Sequence, residues 1–412
     1  MRFRSIPRYN EMMATKPIIF VFTTAYAPFV GGAELAVQEI ARRLKNDFEF
    51  IIITARQRRD LLKREQVPEG TVRRVGLGLE AIDKLLLPFC GAFLVLRIMQ
   101  RRRNHFFVSK HHPVMFWGIM ISYASIAAFF LKFFYPKVPL VITLQEGNKE
   151  WERGLSKWWW RILLRSTKVN HITAISNFLK DRAREAGYKG PIPVVPNGVG
   201  ERLLKIVPHS STPGVGGIQT PGVFQRGALV IFSASRLVYK NGIDILLEAA
   251  AKLKEEYNFK VILAGDGPER KYLELQTINY KLQTRVTFLG YVPYERLTEL
   301  YQQSDIFVRP SRSEGLGSAF LEAMAAGCIT IGTPVGGIPD FLIDGSTGFL
   351  SKPEDSDDLV RVLRKALVMN DDERHAMIQR VRAVVRERYL WDAVAQQMKE
   401  IFIKISDPNK SE

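Results

Sequence analysis

Two carboxylates stand eight positions apart in the stretch Arg309-Pro-Ser-Arg-Ser-Glu-Gly-Leu-Gly-Ser-Ala-Phe-Leu-Glu322. Glu314 falls on a glycine-bearing turn, and Glu322 falls just over a turn inside the helix that the turn opens. A helix entered through Gly315, Leu316, Gly317 and Ser318 offers unpaired backbone N–H groups and the positive end of its dipole, which is where an anion settles. One acid can then hold a sugar hydroxyl on one side of a diphosphate while the other holds a hydroxyl on the far side. That chemistry suits a nucleotide-sugar.

Other candidate groups lie where strand-like runs end. Ser233-Ala-Ser-Arg-Leu-Val-Tyr-Lys-Asn-Gly242 carries Arg236 and Lys240, cations placed to neutralise a departing diphosphate. Gly265-Asp266-Gly267-Pro268 reads as a tight turn after the next strand. Near the start of the chain, Tyr26-Ala-Pro-Phe-Val-Gly-Gly-Ala-Glu34 closes a strand and opens a helix. Gly31 and Gly32 there let backbone approach a diphosphate closely. His111-His112 is no metal pair, because neighbours on a strand point to opposite faces. Asp355, Asp357 and Asp358 precede an apolar helical run and read as its cap, so no metal is expected.

The elements that must position these groups alternate along the chain. Ile18–Thr24, Glu49–Thr54, Phe106–Ser109, Leu140–Leu144 and His171–Ile175 are short β-branched or aromatic runs, and Ala33–Leu44 has helical apolar spacing. A second series runs from Ala228–Ser233 through Ile243–Leu253, Lys260–Ala264, Arg270–Leu282 and Val286–Leu289 to Ile306–Arg309 and Ile329–Gly332. Two open α/β domains follow, with a ligand expected at the carboxyl ends of their strands. The divisions are 1–205, a Pro/Ser/Gly-rich linker over 206–227, a second domain over 228–385, and a C-terminal helix in 386–412 packing back on the first domain. A chain of 412 residues fits two such cores.

With only Cys90 and Cys328, a disulfide framework is excluded as an organising principle. The net charge of +17 is carried entirely by the first half, where residues 1–200 hold 32 Lys/Arg against 15 Asp/Glu. That half should meet something anionic, and no nucleic-acid motif accompanies the charge. Residues 113–131 contain no charge, and they read as a helix buried on a parallel sheet rather than a membrane span.

Taken together and in order, these residues resemble the GT-B glycosyltransferases, nearest the large retaining family 4. The likeness runs from Pro17 to about Ile405. Glu314 and Glu322 are its most specific part, joined by Gly31-Gly32, Thr173-Ala-Ile-Ser176, Pro196-Asn-Gly198, Arg236 with Lys240, and Gly265-Asp-Gly267. The resemblance implies two Rossmann-like doubly wound domains facing a central cleft, acceptor on the first and nucleotide-sugar on the second. It implies that Glu322 binds the ribose, Glu314 the transferred sugar, and the amides of Gly315 to Ser318 with Arg236 and Lys240 the diphosphate. Gly31, Gly32, Gly265 and Asp266 complete the implied donor site. It also implies retention of anomeric configuration and no metal or other cofactor. Two positions depart from the pattern. Gln145 stands where the family has a histidine, and Asn241 where it has a lysine. Gln145 can hydrogen-bond a sugar hydroxyl but cannot take up a proton as imidazole does, unless Glu146 serves instead.

Composition points to the acceptor. Leu85–Met99 is nearly all apolar and leads into Arg101-Arg-Arg103, while Lys157-Trp-Trp-Trp-Arg161 sets aromatic rings among cations. Both read as surface helices touching an anionic membrane. The expectation is a hexosyltransferase at the cytoplasmic face, peripheral to the membrane, serving a lipid-linked or saccharide acceptor. The opposing expectation, from Gln145, is a non-catalytic nucleotide-sugar-binding scaffold.

Overall fold

A computed structural model describes residues 16–29, 31–105, 114–145, 154–166, 168–205 and 228–406, without the side chains of 102–105, 154–159 and 205. The expected strand Phe106–Ser109, His111-His112, Glu146 and the 206–227 linker lie outside the described residues. The chain divides into two compact units, one of residues 1–142, 167–171 and 399–412, the other of 143–166 and 172–398.

The first sheet begins with β1 (Ile18–Phe22), followed by α1 (Gly32–Leu44) and β2 (Glu49–Ala55). A short antiparallel hairpin, β3 (Arg64–Val67) and β4 (Gly70–Val75), precedes the long α2 (Glu80–His105). β5 (Val114–Ile119), α3 (Tyr123–Phe134), β6 (Leu140–Leu144), α4 (Gly154–Arg165), β7 (His171–Ala174) and α5 (Asn177–Glu185) follow. The strand order is β3-β4-β2-β1-β5-β6-β7, with β1 parallel to both neighbours. Every residue of β1 and β6 is buried, as expected of strands covered on both faces.

One expectation is corrected here. The uncharged run 113–131 is not a single helix but β5 and the first part of α3, divided at Met120, whose φ is 60°. A continuous apolar run looks the same to periodicity whether it is a buried strand or a buried helix. Among the described residues no helix is long and apolar enough to cross a membrane.

The second sheet is wholly parallel, in the order β10-β9-β8-β11-β12-β13. Its elements are β8 (Leu229–Ala234), α6 (Ile243–Leu253), β9 (Phe259–Ala264), α7 (Arg270–Asn279), β10 (Val286–Gly290), α8 (Tyr294–Gln302) and β11 (Ile306–Val308). Then come α9 (Ser318–Ala326), β12 (Ile329–Gly332), β13 (Phe349–Leu350), α10 (Ser356–Leu367), α11 (Asp371–Arg388) and α12 (Trp391–Ser406). Strand order reverses between β8 and β11, so the loops leaving these two strands diverge and open a crevice at their carboxyl ends. Those loops hold Arg236 with Lys240, and Glu314 with the entry to α9.

The last helix is shared between the units. Its first residue, Trp391, lies against Gly198, where a Cβ would come within 2.7 Å of the indole. Farther along, Phe402 packs edge-on against Trp117 and Phe48 in the first unit, and Lys399 pairs with Asp47 at 2.6 Å.

Candidate active site

Pro310 follows β11 and turns the chain toward α9. The loop is pressed from behind by Gly336-Gly337. A Cβ on Gly336, whose φ is +58°, would stand 1.7 Å from the Glu314 carbonyl oxygen, and one on Gly337 would stand 2.5 Å from that of Gly315. Ser176, the N-cap of α5, donates its hydroxyl to the Gly315 carbonyl at 2.7 Å in a buried bond. Gly317 then takes φ 95°, a left-handed conformation that glycine adopts without strain. It is the N-cap of α9 and, among the described residues, gives the helix start no side-chain cap. The N3 residue is Phe320, which packs on Phe307 with ring centroids 5.2 Å apart.

The two acids flank this open helix start, and each is held in place. Arg309, nearly buried, donates from Nη2 to Glu314 Oε2 at 2.8 Å, from Nε to Ser311 Oγ at 3.2 Å and from Nη1 to the Ala234 carbonyl at 3.4 Å. Its guanidinium also lies 4.7 Å from the centroid of the Phe320 ring. Glu322 is buried and accepts the Tyr301 hydroxyl at 2.8 Å, with Tyr294 as a second hydroxyl partner. Burial pushes its carboxyl up to about 7, against the opposing pull of the two tyrosines and the Arg309 charge. The Tyr301 phenol, buried beside that carboxyl, is raised well above its usual range.

The sequence motifs assign no role to Arg309 or to either tyrosine. The signal for the tyrosines was present: Tyr294 and Tyr301 are seven residues apart on α8, hence on one face.

Arg236 is exposed and Lys240 half-buried at the end of β8. Neither forms an ion pair with a carboxylate among the described residues. Their loop is fixed by other groups. Asn241 Nδ2 donates to the Arg236 carbonyl at 2.7 Å, so the residue standing in place of the family's lysine holds the loop's shape. Arg312 chelates Asp244 with bonds of 2.7 and 2.9 Å, reaches Glu354 at 2.9 Å and stacks 3.9 Å from the Tyr239 ring centroid.

Gly265 and Gly267 lie directly behind this loop. A Cβ on Gly265 would meet the Ser235 carbonyl at 1.9 Å, and one on Gly267 would meet that of Leu237 at 2.3 Å. Asp266 is exposed, pairs with Arg270 at 3.6 Å and accepts the Gly267 amide. The structure thus explains both glycines by close backbone packing, and Asp266 by its turn.

The remaining expected residues are placed as follows. Gln145 is half-buried and accepts a 3.4 Å hydrogen bond from the Asn197 side chain, which joins it to the Pro196-Asn-Gly198 turn. Gly31 and Gly32 belong to the first unit and start α1. There the side chain of Glu34, at the N3 position, folds back so that its carboxylate accepts the Gly31 and Glu34 amides. A Cβ on Gly31 would lie 2.5 Å from Glu34 Oε2. The amide of Gly31 is therefore occupied by the chain's own acid. Asp355 Oδ1 caps α10 by accepting the Asp358 amide at 2.9 Å, as read from sequence. Among the described residues no three His, Cys, Asp or Glu side chains gather as a metal site.

Comparison with known proteins gives the family. Residues 30–201 match the model of Glycosyltransferase Family 4, and residues 220–384 match that of Glycosyl transferases group 1. The protein is a family 4-type glycosyltransferase of the GT-B fold. The chain is 34% identical to a phosphatidylinositol N-acetylglucosaminyltransferase subunit from Arabidopsis thaliana, over 42% of this chain and 38% of that protein. It is 33% identical to the N-acetyl-alpha-D-glucosaminyl L-malate synthase of Bacillus anthracis, over 41% of this chain and 44% of that enzyme. These alignments span less than half the length of either relative. In fold, this glycosyltransferase superposes on the Anabaena protein HepE in complex with UDP and glucose. That match has a TM-score of 0.70, 18% identity, and coverage of 95% of this chain and 100% of that one.

Proposed function

We propose that this glycosyltransferase moves a hexose, with retention of configuration, from a nucleoside diphosphate-sugar to a saccharide or lipid-linked acceptor at the cytoplasmic membrane face. The observation that carries the reading is the start of α9: an N-cap with no side-chain cap among the described residues, flanked by two restrained acids and near a strand end bearing two cations. The diphosphate binds there, on the first amides of α9, with Arg236 and Lys240 neutralising charge as it leaves. Glu322 holds the ribose hydroxyls, with the tyrosines fixing its orientation. Glu314, gripped by Arg309 through one oxygen, presents the other to the transferred sugar. Gln145, tethered to Asn197, hydrogen-bonds a sugar hydroxyl rather than moving a proton. Helix amides and protein cations do the charge stabilisation, so no metal is required.

Two comparisons support the substrates. HepE was crystallised with UDP and glucose, and the Arabidopsis relative is named for transfer to phosphatidylinositol. The test is turnover of radiolabelled UDP-, GDP- and ADP-sugars by the purified protein with membranes, with and without EDTA. Transfer that survives EDTA and keeps the anomeric configuration of the donor supports the reading. Absence of both transfer and hydrolysis with every donor overturns it in favour of a nucleotide-sugar-binding scaffold.

A further inference from the structure

The first unit carries an apolar face that its own core leaves uncovered. On α2, Ile82, Leu85, Phe89 and Phe93 recur at helical spacing and are exposed, whereas Leu87 and Val95 on the other side are fully buried. Phe89 and Phe93 are 65% and 63% exposed, and Phe133 and Phe134 at the end of α3 are 60% and 65% exposed. Phe89 meets Phe130 of α3 with ring centroids 5.7 Å apart, so the two helices share one surface. Large apolar rings grouped on a surface mark a place where something docks.

Charge says what docks. Beyond Phe93 the same α2 stripe continues as Arg97 and Arg101, both exposed. The Lys168 ammonium lies 4.1 Å from the centroid of the Phe133 ring. From Lys84 to Gln145 the sequence holds eight Lys/Arg and not one Asp or Glu, a span that includes nearly all of α2 and the whole of α3. A face meeting another protein ordinarily mixes both signs, whereas an anionic leaflet favours cations beside rings that enter the acyl boundary. Of the tryptophans singled out by sequence, Trp160 is buried, and the side chains of Trp158 and Trp159 lie outside the described residues.

We propose that the α2–α3 face seats on an anionic bilayer, with Phe89, Phe93, Phe133 and Phe134 in the acyl boundary and Arg97 and Arg101 at the headgroup phosphates. This deepens the reading of a membrane-borne acceptor and rests on it for its purpose only. Binding is measured without donor or acceptor, so a failure of transfer and a failure of docking are told apart.

The experiment is flotation of the full-length protein with vesicles of phosphatidylcholine, alone or with about one-third phosphatidylglycerol. Wild type floats with the anionic vesicles and is released by high salt. Phe89→Ser with Phe133→Ser lowers the bound fraction about tenfold or more. Arg97→Glu with Arg101→Glu does the same through charge and leaves the rings in place, so a folding defect in the first pair does not hide the result. Binding unchanged in both variants, or equal binding to neutral vesicles, overturns the proposal. So does a wild-type dimer that the first pair of changes makes monomeric without any vesicle binding, since the face is then a protein interface.

Discussion

Two helices in this molecule begin alike and are capped differently. α1 and α9 each follow a strand that runs parallel to both its neighbours, and each is entered through glycine. At α1 the third helical residue is Glu34, whose carboxylate returns to the amides of Gly31 and of Glu34 itself. At α9 the third residue is Phe320, turned into the core, and the nearby acids are held off the amides by Arg309 on one side and by Tyr301 and Tyr294 on the other. A glycine turn before a helix therefore does not by itself leave the helix start uncapped. What decides is whether the chain spends its own carboxylate on the cap.

The sharpest way to break this contrast is Glu314→Gln. Transfer should fall about a hundredfold or more while nucleotide affinity holds, because only the reacting sugar loses its partner. Single-turnover assays beside calorimetry with the nucleotide diphosphate would show it, and equal losses in both would remove the role given to Glu314. Next is Gly336→Ala, whose Cβ would collide with the Glu314 carbonyl at 1.7 Å. It should cost about 3 kcal/mol or more in urea unfolding, since backbone must move. Gly345→Ala is its control: φ is +70° there but no atom lies within 4 Å. The cost of that control should be only about 1 kcal/mol.

Glu322 predicts a pH dependence. Its carboxyl is raised from 4.5 to about 7, so the native state keeps a proton that the unfolded chain has already lost. Stability should therefore fall as pH rises across that window, by about 3 kcal/mol, and Glu322→Gln should flatten the slope. Urea midpoints on either side of the window measure both. A smaller effect sharpens the contrast directly. Ser318→Asp places a carboxylate at the open start of α9 and should lower affinity for a nucleoside diphosphate about tenfold, while slightly stabilising the helix. Smallest is Glu34→Ala, which should cost about 1 kcal/mol of stability and leave nucleotide affinity alone. If it weakens the nucleotide as much as Ser318→Asp does, the two helix starts are equivalent and the contrast is lost.

Much of this was legible in the chain itself. The alternation of buried strands with helical runs declared two α/β domains, because parallel strands covered on both faces read as short continuous apolar runs. The acids Glu314 and Glu322, the cations Arg236 and Lys240, and the acid cap of α10 were all visible, since each depends on spacing within one or two neighbouring elements. The strand–helix break at Met120 was not visible, because an apolar run carries no period that tells the two apart.

Contacts between distant parts of the chain were beyond sequence reasoning. Ser176 reaches Gly315 across 139 positions, and Gly336 presses on Glu314 from the far side of β12. The partners of Glu322 come from a different helix, packed beside α9. Sequence determined the alternation of strands and helices, the spacing of the two acids and which half of the chain would carry positive charge. Tertiary structure decided which groups restrain the two acids, how each helix start is capped, and which apolar residues of α2 face outward. Those outcomes depend on hydrogen bonds and close contacts between segments whose neighbours are chosen only when the sheets assemble.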